Sequence, residues 1–213
     1  MIYVVIPVYI NSDHLVHVYR ECIKSYRENV HDSTLVCVDD HSPKQIPLGA
    51  DVELSTPQNL GYTGCVNTGL KYVLEHATDQ DIVFVVNDDV EFPSNWWKIS
   101  EDLTPDVGVV SPLVSDEPPQ PRGRIIDDMK FGSFWAIRVK TLRQVGILDE
   151  TMKAYFSDSD FFKRIKDAKL RVIKDTSVYI PHAGNQTYGN LENNEEMYAE
   201  DALKYKEKHG KLD

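Results

Sequence analysis

The sequence predicts an α/β domain in which a mostly parallel central sheet is flanked by helices, with a small antiparallel strand pair toward the C-terminal side. Three observations predict it. Apolar runs at Ile2–Ile6, Leu35–Val38 and Ile82–Val86, rich in β-branched residues, read as strands buried on both faces, as in the interior of a parallel sheet. Helix-forming stretches alternate with them, as in a helix-covered sheet. The chain has 213 residues, 41% of them hydrophobic, which suits one sizeable core rather than two.

Taken in order, the strand Ile2–Ile6 closes at Pro7, and Asn11-Ser12-Asp13 offers N-caps for a helix reaching about Asn29. The strand Leu35–Val38 ends in Asp39-Asp40. Asp51–Ser55 is a weaker third strand, and Gln58–Gly64 leads into a helix through Asn67, Leu70, Val73 and Leu74. Gly61 and Gly64 allow a backbone or a ligand to approach where that helix begins. Ile82–Val86 follows, then a helix around Pro93–Leu103 with proline in its first turn, then a strand Val107–Ser111. Ser115–Asp127, with three prolines and no periodicity, reads as a mobile loop, either a lid or a connection.

Beyond it, Met129–Val139 is a candidate strand carrying Phe131, Phe134 and Trp135, and Lys140–Val145 a short helix. The aromatics are simplest as core, although Trp135 beside Gly132-Ser133 could floor a sugar or acceptor pocket, since sugars present apolar C–H faces to rings. Asp158 starts a helix with Phe161, Phe162 and Ile165 on one face. Arg171–Ile173 and Val178–Ile180 read as the strand pair, and Glu192–Lys208 as a charged amphipathic helix.

A formal charge of −11 argues against a general nucleic-acid or anionic-membrane binder, while one phosphorylated small molecule remains compatible if a metal inverts the local field. Cys22, Cys37 and Cys65 are odd in number and lack C-x-x-C spacing. They read as buried hydrophobes in a reducing, cytoplasmic compartment. No signal peptide and no apolar stretch of membrane-spanning length is expected.

Asp88-Asp89 needs an explanation, because the pair leaves a buried-type strand with no Lys or Arg before Lys98. Strand carboxyl ends border the ligand crevice in such sheets, and a divalent cation shared with substrate phosphates would satisfy two carboxylates. A polar turn is the plainer reading. Ile6-Pro7-Val8-Tyr9, Val38-Asp39-Asp40-His41-Ser42, Asn59-Leu60-Gly61 with Asn67-Thr68-Gly69-Leu70, and Asn87-Asp88-Asp89 together resemble the nucleotide-binding half of family-2-like glycosyltransferases of GT-A (Rossmann-like) fold. Gly146–Glu150, Tyr155–Asp160 and Pro181-His182 are similar to the acceptor-side half, particularly of rhamnosyltransferase-like members. The halves divide near residue 111 within a single domain, 1–213.

The resemblance implies that Pro7, Val8 and Tyr9 line the base and ribose pocket, that Asp40 bonds the pyrimidine edge, and that Gly61, Asn67, Asn87 and Asp88 belong to the nucleotide-sugar site. It implies Asp89 and His182 as ligands of Mn²⁺ or Mg²⁺, with Asn87 standing where relatives carry the first acid of Asp-x-Asp. Asp158 is the implied general base of an inverting transfer from a UDP-sugar to a glycan hydroxyl, rhamnose or glucose preferred. A helix dipole at its position favours the ionised form but equally suits a mere cap, and Ser157 replaces a Glu common in relatives. Asp160 therefore stays open as an alternative base.

Retaining transfer on the same scaffold, or a non-catalytic UDP-sugar or glycan-binding module, are the competing readings. A sugar-1-phosphate nucleotidyltransferase would need a Gly-rich basic loop after the first strand, where Pro7–Asn11 stands. Kinase and ATPase readings fail for want of G-x-x-x-x-G-K-[ST].

Overall fold

The computed structural model describes residues 1–115, 125–126, 132–184 and 194–211. Among these, eight strands form one sheet: β1 (Ile2–Val8), β2 (Ser33–Asp39), β3 (Val52–Ser55), β4 (Ile82–Val86), β5 (Val107–Ser115), β6 (Ile125–Ile126), β7 (Phe134–Arg138) and β8 (Arg171–Pro181). Their spatial order is β3-β2-β1-β4-β7-β5-β8-β6. The first four are parallel neighbours in register, Val8 lying opposite Asp39 and Val5 opposite Val85, so their carboxyl ends share one edge. β7 is antiparallel to both β4 and β5, β5 and β8 are parallel, and β6 is antiparallel to β8.

Helices α1 (Asp13–Glu28), α2 (Gly61–His76), α3 (Val139–Val145), α4 (Ser157–Asp167) and α5 (Asn194–His209) surround the sheet. The Ser12 side chain caps α1 by accepting from the Leu15 N–H, and Leu15, Tyr19, Cys22 and Tyr26 turn one stripe inward at helical spacing. That stripe packs on Val4, Ile6 and Val8 in one core. On the opposite face Tyr3 and Val5 join α2, α3 and α4 in a second core. Two covered faces explain why the first strands lack polar alternation. α2 lies close because Gly69 lets it: a Cβ there would stand 2.4 Å from Val5 Cγ1.

Three expectations change. The supposed strand pair is one strand, β8, whose register against β5 jumps from Pro112↔Asp175 to Leu113↔Tyr179. Asp175 Oδ1 accepts the Ser177 N–H, so the local turn chemistry makes a bulge rather than a hairpin. The expected helix after β4 is a 3₁₀ turn, Trp96–Asp102, with Trp96 buried among Phe84, Phe92 and Phe134. The stretch 115–127 is not wholly loop, since β5 extends to Ser115 and β6 occupies 125–126; the remainder lies outside the described residues, as does Phe131. No helix among the described residues is long and apolar enough to cross a membrane.

Candidate active site

The site is assembled where β1, β2, β4 and β8 end. Asp40 leaves β2 with 3% exposure, and its carboxylate accepts hydrogen bonds from Thr56 Oγ1 at 2.9 Å, the Leu60 N–H at 2.8 Å and the Gly61 N–H at 2.9 Å. Three of its four lone-pair directions are thereby filled by Thr56, just after β3, and by the residues that open α2, and one on Oδ2 has no donor among the described residues. Burial raises its pKa against those three hydrogen bonds. The following residue, His41, holds a left-handed φ of 56°, uncommon for a side-chain-bearing residue.

Burial and the neighbouring Asp89 charge push Asp88 up to about 8. A cation would relieve that repulsion. Asp89 points the other way. An antiparallel bridge between Val90 and His182, with the Ala183 N–H donating to Asp89 O and the Glu91 N–H to Pro181 O, holds the β8 exit against the β4 exit. It brings His182 Nε2 within 2.9 Å of Asp89 Oδ1. Both atoms are buried and neither has a hydrogen-bond partner among the described residues; Asn87 Oδ1 is in the same condition. The two atoms stand at ion-pair distance of each other without forming a hydrogen bond, and a carboxylate facing an imidazole in this way fits a shared divalent cation by donor chemistry. They would supply two ligands; no group of three or more His, Cys, Asp or Glu side chains gathers among the described residues. A cleft of about 540 Å³ opens alongside, between α1 and this bridge, lined by His17, Glu21, Asp89 and His182 among others.

Asp158 stands in the first turn of α4. Its Oδ2 accepts from the Gly132 N–H and its Oδ1 from the Ser159 N–H, each at 2.8 Å. Burial nonetheless raises its pKa, which makes the ionised form a stronger base. Phe156, just before α4, has φ 62°, a second left-handed residue beside a candidate group.

Several expected site residues have other partners. Asp160 is fully buried and accepts from Arg164 Nε at 2.9 Å, His209 Nε2 at 2.8 Å and Lys208 Nζ at 2.8 Å. Burial alone would raise its pKa, but those donors bring it below the ordinary carboxylate range, so it is structural and not an alternative base. Asn67 is likewise saturated: its amide donates to Leu148 O and Glu150 Oε1 and accepts the Leu148 N–H, tying α2 to the 148–150 segment rather than touching a nucleotide.

Gly61 serves the backbone. Its N–H is held by Asp40, its φ is 73°, and a Cβ would sit 2.8 Å from Lys153 O. Val8 is 1% exposed and packs in the core with Pro7 also buried, which leaves Tyr9 as the partly exposed member of that trio. Trp135 is fully buried against Phe161 and Phe162; the core reading holds and the sugar-floor reading does not. Gly132, which backs onto the Trp135 ring, supplies its N–H to Asp158.

One residue escaped the sequence reading: Asp201 of α5, whose carboxylate accepts the N–H groups of Lys153, Ala154 and Tyr155. The signal was the recurrence of Asn194, Tyr198, Asp201, Tyr205 and His209 at helical spacing, hidden because none of the five is aliphatic.

No protein-family model and no curated protein matches the sequence. Solved structures do. Mannosyltransferase PcManGT from Pyrobaculum calidifontis, in complex with GDP-Man and Mn²⁺, has a TM-score of 0.65 at 17% identity over 96% of this chain and 63% of its own. GalNAc-T7 with UDP, GalNAc and Mn²⁺ gives 0.65 at 12% identity, covering 90% of this chain and 46% of that one. TarS 1–349 from S. aureus gives 0.58 at 14% identity, covering 97% and 72%. This chain thus spans less than two thirds of the length of the first two. The chain has the GT-A glycosyltransferase fold that the resemblance in its motifs implied.

Proposed function

We propose that the protein is a metal-dependent, inverting glycosyltransferase that moves a sugar from a UDP-sugar to a hydroxyl of a glycan acceptor. The observation that carries the reading is the Asp89–His182 pair: two side chains from opposite halves of the chain, brought to 2.9 Å at the sheet's ligand edge and left without hydrogen-bond partners among the described residues. Asp89 and His182 would hold Mn²⁺ or Mg²⁺, which when bound neutralises charge on the departing diphosphate. Mn²⁺ is the first choice, since two of the similar structures contain it. Tyr9 and Asn87-Asp88 border the nucleoside, and the open lone pair of Asp40 suits the imide N–H of uracil.

On the acceptor side, the incoming hydroxyl oxygen forms a bond to the anomeric carbon while the bond from that carbon to the diphosphate oxygen breaks, its electron pair leaving with the diphosphate. The hydroxyl proton passes to the Asp158 carboxylate. The Gly132 and Ser159 amides orient that carboxylate. Rhamnose and glucose are the first sugars to assay, on the rhamnosyltransferase-like wording of the acceptor-side motifs.

Calorimetry with UDP, GDP and CMP, each with and without Mn²⁺, tests the donor side. Preference for GDP would sink the UDP assignment, and metal-indifferent binding would sink the cation. Product configuration by NMR separates inversion from retention, and tight UDP-sugar binding without turnover under any acceptor would favour a binding module.

A further inference from the structure

The C-terminal helix meets the candidate base through a chain of backbone contacts. The residues it turns toward the 153–156 segment and α4 are Asn194, Tyr198, Asp201, Tyr205 and His209, of which Asp201 and Tyr205 are buried. Asn194 Oδ1 accepts from the Tyr155 hydroxyl, Tyr198 stacks edge-on to Tyr155 at 5.2 Å and tilted on Phe156 at 5.2 Å, and Tyr205 lies 5.4 Å from Phe156. At the centre is Asp201, 2% exposed, whose Oδ1 accepts the Lys153 N–H at 3.1 Å and whose Oδ2 accepts those of Ala154 and Tyr155 at 2.8 and 3.0 Å. Three successive amides converging on one carboxylate fix three peptide planes.

The turn so fixed is wedged from its other side. Lys153 O accepts the Thr63 N–H at 3.0 Å and presses on Gly61, while Phe156 takes its left-handed conformation and its carbonyl accepts the Asp160 N–H that starts α4. Asp158 lies inside that first turn. A left-handed non-glycine residue persists only where its surroundings over-determine it, and here the surroundings are α5. Lys208 and His209 pin the far end of α5 on Asp160, so the helix is anchored at both ends of the segment it shapes.

We propose that Asp201 is a positioning residue for transfer, setting the direction of the Asp158 carboxylate through the 153–156 turn. The inference rests on the reading of Asp158 as the base. A carboxylate is needed because it offers acceptors on both oxygens; an amide in its place would turn an –NH₂ group against a backbone N–H.

Asp201→Asn therefore loosens the turn without changing side-chain shape, and Asp201→Glu, which keeps charge and acceptors but displaces them, serves where the first variant folds poorly. Activity is read as UDP release from UDP-glucose with Mn²⁺ and methyl glucoside. The expected result is a fall in kcat of roughly 10- to 100-fold, with donor KM and calorimetric UDP·Mn²⁺ binding unchanged, as for a small misplacement of a reacting group. Amide exchange at 153–155 accelerates, and the Asp158 carboxyl carbon resonance moves.

Those two readouts need no turnover. If the wild type transfers no sugar, the functional reading fails by itself, while an exchange-loosened turn with a shifted Asp158 resonance still supports the positioning link. Faster exchange with an unmoved Asp158 resonance overturns the proposal, and so does wild-type kcat in a folded variant, leaving Asp201 as a purely structural group.

Discussion

Asp89 meets His182 at 2.9 Å and Asp160 meets His209 at 2.8 Å, yet the two pairs are completed differently. Around Asp160, Arg164 and Lys208 bring further donors, and Arg164 also reaches the carbonyls of Val145 and Ile147, so the buried charge is fully answered from within the chain. Around Asp89 no Lys or Arg is paired with the carboxylate among the described ion pairs, and the facing atoms of both partners have no hydrogen bond. The same two residue types build a closed fastening in one place and, in the other, a pair that no further side chain completes among the described residues. What separates them is the completeness of the surrounding shell, and that can be tested by breaking each in turn.

The largest effect is expected at Asp89→Ala. Losing several kcal/mol of charge stabilisation corresponds to a fall in kcat of about 10³-fold, and the Mn²⁺ dependence of UDP binding disappears in the calorimeter. Next is Asp160→Ala, which strands buried donors and destabilises by about 3–5 kcal/mol, read from urea unfolding, with no direct loss at the donor site.

The two histidines then split. His209→Ala lowers metal-free stability by about 1–3 kcal/mol, whereas His182→Ala leaves the metal-free melting midpoint nearly unchanged and weakens Mn²⁺ binding; equal stability losses would erase the contrast drawn here. Asn67→Ala costs about 1–3 kcal/mol through the stranded Leu148 and Glu150 contacts, with UDP affinity unaltered, the reverse of what a nucleotide contact would give.

Acidification should also sort the regions. Asp158 could serve as a base only when ionised, and burial raises its pKa, so on the proposed mechanism turnover falls as pH drops through a value above the ordinary aspartate range. Asp160 is depressed when folded, so its stabilisation is complete above the ordinary value and lost only as pH falls through the lower one. A pH–rate profile beside far-UV unfolding at each pH should show activity lost before the α5 contact.

The first four strands, the Ser12 cap and the acidic strand ends were legible because each is written in a few adjacent residues. Motif order also singled out Asp89 and His182, which the fold brings to 2.9 Å of each other. Asn67, Asp160 and Asp201 were not, because a polar residue's role depends on its partner, and theirs lie as far off as 83, 49 and 48 positions along the chain. The β8 bulge was misread because an Asp-Thr-Ser run carries the same local hydrogen bond in a bulge as in a turn. Trp135 was ambiguous for a similar reason: burial is decided by Phe161 and Phe162 on a helix that arrives later.

The antiparallel strand β7 has a consequence for dissecting the molecule. β5 pairs only with β7 and β8 among the described strands, and the free side of β4 is covered by β7. A fragment cut near residue 111 would split β5, leaving its first half with no neighbour and β4 as an apolar edge, the kind of surface that recruits other chains. The two halves of the chain are thus inseparable by scissors: exchanging the C-terminal half would have to carry β5, β7 and β8 as one interlocked block.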